Sequence, residues 1–143
     1  MPDPGLAEGK DKFAAFSATV VASGAFTYSS VFPGACSTYN FAHVDVNFTI
    51  GTGGTGEFVL ETSYDGTNWF AAPLIDTSAP TLASGYYVVP SGPIVIQIPA
   101  GSSGLGVGSY RFELAKPYMR LGVRAGGVVA NITATAVIAR TLL

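Results

Sequence analysis

The chain has 143 residues, 48% of them hydrophobic and only 11% charged, with 18 glycines, 9 prolines and a net charge of −2. That is the length of one domain able to bury an ordinary core. It holds too much Gly and Pro for long helices, and it lacks the basic cluster of a nucleic-acid binder. No apolar run reaches the roughly 18–20 residues of a membrane span, and the single cysteine, Cys36, excludes an internal disulfide.

Residues 1–12 read as an arm, with two prolines, two glycines and five charges (Asp3, Glu8, Lys10, Asp11, Lys12). Such a terminus orders only when something holds it, so the arm is expected to lie across another subunit. Pro2, Pro4, Leu6, Lys10 and Lys12 are its candidate contact residues, with Phe13 and Phe16 just after it. The arm is polar and has no apolar signal-peptide core, so synthesis in a cytoplasm without ordinary export is expected. Residues 13–143 are expected to form a single β-sandwich domain.

Within that domain the segment 13–31 is apolar, and β-branched Thr19, Val20 and Val21 favour strand over helix. Strands are expected at 17–22 and 25–30, then a Pro33-Gly34 turn. Residues 41–50 alternate cleanly: Ala42, Val44, Val46, Phe48 and Ile50 face one way, His43, Asp45, Asn47 and Thr49 the other. The GTGGTG run at 51–56 is expected to close a hairpin into a strand at 57–64, where Phe58, Leu60 and Thr62 oppose Val59, Glu61 and Ser63. Asp65-Gly66 then makes a turn, with Trp69-Phe70 starting the return.

A long loop is expected over 71–85, short strands at 86–89 and 94–98, and a glycine-rich loop at 100–108. A strand at 110–114 follows. The chain closes with strands at 118–125 and 128–140, expected to pair as a hairpin around Gly126-Gly127. The expected fold is all-β: an antiparallel sandwich or jelly roll of about eight or nine strands, in which 58–64 and 118–125 are inner strands.

No catalytic constellation stands out. The 51–56 run lacks the GK[ST] ending and the following helix of a phosphate loop. His43 stands two residues from Asp45 on one strand face, but no GxSxG nucleophile signature exists. One His and one Cys cannot make a zinc site; His43 reads as a surface or interface polar group and Cys36 as a small buried residue. No cofactor is implied. Glu57 and Glu61 share the i, i+4 spacing of Arg120 and Arg124, which points to cross-strand ion pairs. Trp69 is expected in the core beside residues 118–123, while Tyr64, Trp69, Tyr86 and Tyr87 are the aromatics that could stack on sugars.

The charges are unevenly spread. None falls in residues 13–44 or 77–110. A free monomer normally mixes charges over its surface, so these runs are expected to meet other subunits, one for self-association and one for a second partner.

Two stretches, TSYDGTNWFAAPL at 62–74 and KPYMRLGVRAG at 116–126, resemble a pattern in β-sandwich proteins of tailed-phage virions. In that pattern a strand ends in S-x-D-G-x-N-W, and a P-Y-x-R strand and a Thr/Ala-rich final strand follow later. Asp65, Gly66, Trp69, Tyr118 and Arg120 carry it here. The same stretches resemble, more weakly, discoidin-type carbohydrate- or lipid-binding jelly rolls, though the lone cysteine departs from the secreted members. The first resemblance implies a non-enzymatic capsid decoration protein, or a tail or connector subunit. It would be located in the virion after assembly in a host cytoplasm. Its expected partners are the major capsid protein or other virion subunits, and it would be a homo-oligomer, a trimer by resemblance, without nucleic-acid or membrane contact. The second implies a carbohydrate-binding module.

Overall fold

Strict alternation in 41–50 and 131–138 makes each segment a two-faced strand, and two sheets then bury their apolar faces against each other. The computed structural model describes residues 11–37, 39–77, 86–88, 94–101, 104–127 and 129–141. The strands are β1 (Lys12–Ala22), β2 (Thr27–Tyr28), β3 (Phe32–Pro33), β4 (Phe41–Thr49), β5 (Gly54–Ser63), β6 (Phe70–Ala71), β7 (Leu74–Thr77), β8 (Tyr86–Val88), β9 (Ile94–Pro99), β10 (Leu105–Glu113), β11 (Tyr118–Gly127) and β12 (Asn131–Thr141). Sheet A has the order β1-β12-β4-β10-β7. Sheet B has the order β2-β11-β5-β9-β8, with β3 also on β11 and β6 also on β5. All pairings between these strands are antiparallel. This is the expected antiparallel sandwich.

The core between the sheets takes the inward residues that the alternation assigns. Ala42, Val44, Val46 and Phe48 of β4 meet Ile132, Ala134, Ala136 and Ile138 of β12, and opposite them lie Phe58 and Leu60 of β5 with Met119, Leu121 and Val123 of β11. Phe58 makes edge contacts with Tyr110 and Phe112, at centroid separations of 5.1 and 6.3 Å. Gly56 brings the sheets together: a Cβ there would run into the Phe48 ring.

Two expected hairpins are crossovers instead. β4 is flanked by β12 and β10, and β5 by β11 and β9, so neither can take the other as a neighbour. The glycine-rich connection therefore passes from sheet A to sheet B, with Gly51 and Gly53 at φ 92° and 80°. In the same way β11 lies in sheet B and β12 in sheet A. The expected loops at 71–85 and 100–108 are also shorter in part, since β7 and the first half of β10 occupy them.

β1 is longer than expected because two irregularities hide its pattern. Its register against β12 shifts between Ala14 and Phe16 and again between Phe16 and Thr19, and Ala18 has φ 48°. The shifts turn Phe16 and Val21 into the same core although their spacing is odd. Phe16 is therefore 5% exposed and is not the contact residue expected from its place beside the arm. The boundary at residue 12 also moves: Asp11 is buried and Lys12 opens β1. Arg140 pins this end: its backbone amide donates to the Asp11 carbonyl (2.8 Å), and its Nη1 donates to the Gly34 carbonyl (3.1 Å). Its guanidinium also lies over the Tyr39 ring at 4.4 Å.

Candidate functional site

The outer faces of the two sheets differ in chemistry. On sheet B the antiparallel register sets Arg120 opposite Glu61 and Arg124 opposite Glu57. The expected ion pairs form: Arg120 reaches Glu61 Oε1 from both Nε and Nη2 at 2.9 Å, and Arg124 Nε reaches Glu57 Oε1 at 2.6 Å. Gln97 Nε2 donates to the other Glu57 oxygen at 2.9 Å.

Aromatic rings cover these pairs. The Arg120 guanidinium lies over Tyr28 at 3.7 Å and over Trp69 at 4.4 Å, and that of Arg124 over Phe26 at 4.2 Å. Gly122, between the two arginines, makes room, because a Cβ there would stand 2.8 Å from the Tyr28 ring. Burial first, then the Glu61 carboxylate, pushes the Tyr28 hydroxyl above its ordinary pKa. Trp69 is thus only half-buried, on the outside of β11 against a guanidinium, and not in the core where it was expected. Its neighbour in the sheet is a cation, and an indole face satisfies a cation better than an apolar interior could.

At one end of this row the turn after β5 is tightly built. Asp65 Oδ1 accepts from the backbone amides of Thr67 and Asn68, both at 2.8 Å, and from Ser63 Oγ at 2.9 Å; Oδ2 accepts from Asn68 Nδ2 at 2.8 Å. Ser63 Oγ in turn accepts from the amides of Asp65 and Gly66. The amide of Asn68, then that of Thr67, holds the Asp65 carboxyl well below the usual carboxylate range. Gly66 at φ 77° completes the expected turn. The turn sets Tyr64 and Phe70 on its two legs, 69% and 57% exposed, with the Lys116 ammonium 5.4 and 4.3 Å from their ring centroids. Tyr118, also exposed, pairs in register with Ser63.

The outer face of sheet A is plain by contrast. Its central rows are Thr133, Thr135, Val137 and Ala139 on β12, His43, Asp45, Asn47 and Thr49 on β4, and Leu105, Val107, Ser109 and Arg111 on β10. Ser109 Oγ donates to Asp45 at 2.6 Å. Val20 is 67% and Val107 60% exposed, and Leu105 and Val137 are exposed beside them. Each uncharged run is divided between the sheets: the first supplies most of β1 here and β2 and β3 to sheet B, the second most of β10 here and β8 and β9 to sheet B.

Of the arm candidates, Pro2, Pro4, Leu6 and Lys10 lie outside the described residues, and so does the expected contact of the arm with another subunit. Lys12 is exposed, and Phe13 is half-buried, stacked on Phe32 at 4.9 Å. Tyr86 and Tyr87 fall in β8 at the edge of sheet B, and their side chains lie outside what is described. Cys36 is exposed, not buried; it lies outside the strands, in the connection between β3 and β4. His43 sits on the outer face of sheet A opposite Arg111 and Ala139. Among the described residues no group of three or more His, Cys, Asp or Glu could hold a metal ion. Sequence reasoning missed Lys116 and Phe70 as partners; the one available signal was their place beside the Asp-Gly turn and the Lys-Pro break. No family model, no curated protein and no solved structure matches the chain.

Proposed function

We propose that the chain is a non-enzymatic structural protein of a tailed-phage virion, a capsid decoration protein that binds and stabilises the head. The observation that carries this reading is the outer face of sheet A, broad and poor in charge, with Val20, Leu105, Val107 and Val137 exposed among threonines. Such a face can be covered by another subunit with few charges to strip of water, Asp45 and Arg111 being the charged members of its central rows. The ion pairs of sheet B, by contrast, are already satisfied within the chain. The resemblance of residues 62–74 and 116–126 to virion β-sandwich proteins supports the same class. The partner is the major capsid protein or another virion subunit, and the protein acts as a small homo-oligomer, a trimer by resemblance. Several weak contacts on a repeating lattice then multiply modest affinities by roughly 10²–10⁴.

Native mass spectrometry and co-sedimentation with tailed-phage heads test this. The expected result is an oligomer that sediments with heads and raises their resistance to heat. A monomer that ignores heads would overturn it.

A further inference from the structure

The aromatic end of sheet B has a chemistry that docking through sheet A does not use. Tyr64 and Phe70 are large, flat and mostly exposed, and the turn between them is fixed by the Ser63 and Asp65 hydrogen bonds. Both rings approach the Lys116 ammonium. Among the described residues no carboxylate lies within ion-pair distance of that ammonium: Glu61 is held by Arg120, Glu57 by Arg124 and Asp11 by Arg140. Asp65 turns its oxygens into its own turn. An ammonium has three donors, and two ring faces engage at most two directions. The site therefore offers one unneutralised cation set against two fixed, exposed rings.

We infer that Tyr64, Phe70 and Lys116 form a binding site for an acidic saccharide, with a pyranose C–H face stacked on an exposed ring and the sugar carboxylate on Lys116. A neutral sugar would gain the stacking alone, and a simple anion the charge alone. The two together require a ligand that carries an apolar face and a carboxylate within one residue's length, which a uronic or sialic acid does. The Thr67 and Asn68 positions, exposed at the turn, place further polar groups at the rim. The site lies on the opposite sheet from the proposed docking face, so a head-bound subunit would still present it.

Isothermal titration calorimetry with oligogalacturonate and with oligomeric sialic acid tests the inference, against neutral galactan and against phosphatidylserine vesicles. Variants Lys116→Met, Tyr64→Ala and Phe70→Ala are compared with the natural protein, with thermal melting confirming that each folds. The expected result is binding to at least one acidic saccharide, weakened about tenfold or more by each substitution, a loss of about 1.4 kcal/mol. Neutral galactan should bind at least about tenfold more weakly, by the same arithmetic. No binding to either acidic saccharide would overturn the inference. So would equal binding of the neutral polymer, binding untouched by all three substitutions, or binding to the vesicles alone. Failure to sediment with heads would leave this site standing, and loss of the site would leave head binding unaffected, so the two readings fail separately.

Discussion

The outer faces of the two sheets are made by the same rule and end in opposite states. In each, alternate residues of paired strands point away from the core. On sheet B the outward residues that pair are long, charged and opposite in sign across the β5–β11 register, and rings from Tyr28 of β2, from Phe26 just before it and from Trp69 in the turn before β6 close over them. On sheet A they are short, mostly uncharged and uncovered. A face that satisfies itself gives stability. A face left bare of charge gives little stability and is suited to contact. The difference places the covered ion pairs on one side of the sandwich and leaves the other side as the face that the proposed docking would use.

The sharpest way to break that contrast is to remove one member of a covered pair. Arg120→Ala leaves the buried Glu61 carboxylate without its partner and uncovers the Tyr28 and Trp69 rings. A loss of about 2–4 kcal/mol is expected, below the 3–5 of a fully buried pair because these side chains keep some water. Urea unfolding measures it. A loss under about 1 kcal/mol would place the pair with ordinary surface bridges and remove the contrast.

Asp65 sharpens the same side through pH. Its folded carboxyl is held below the ordinary range, so the unfolded chain takes up the proton first as pH falls. Its contribution is present above the unfolded carboxylate range, near 4, and is lost as pH drops below it. Asp65→Asn should therefore be less stable than the natural protein at pH 7, and the gap should narrow by pH 3. Urea midpoints at the two pH values report this. A gap that stays constant would mean the carboxylate charge is not what holds the turn.

The smallest effect on stability is expected on sheet A. Val107→Ser and Val137→Ser remove exposed apolar atoms and should shift unfolding by no more than about 0.5 kcal/mol. A larger loss in calorimetric melting would show that this face, too, is part of the fold's own packing.

How far these features could be read in advance depended on local regularity. The inward sets of β4 and β12 were legible because their alternation is unbroken, and the Glu57/Glu61 and Arg120/Arg124 pairs because equal spacing on two antiparallel strands brings both pairs into register. β1 was not, since two register shifts cancel parity between Phe16 and Val21. Sheet membership was not either. A short glycine-rich connection serves a hairpin or a crossover equally well, and which one forms is decided by strands far away in the chain that already flank β4 and β5. Trp69 was misplaced because an aromatic beside a strand usually packs in a core, whereas here the Arg120 guanidinium competes for its face. Lys116, Tyr64 and Phe70 meet only once the turn and the β11 approach are folded together.

The division of labour between the faces stands or falls on head binding by a variant altered on sheet A alone. Val107→Lys with Val137→Lys puts two charges into the bare face and leaves every sheet B contact in place. Co-sedimentation with tailed-phage heads, at matched thermal stability, should show the natural protein bound and the double variant at least about tenfold weaker, as burying two unpaired ammonium groups opposes docking. A double variant that binds as well as the natural protein, or a natural protein that does not bind at all, would contradict the account.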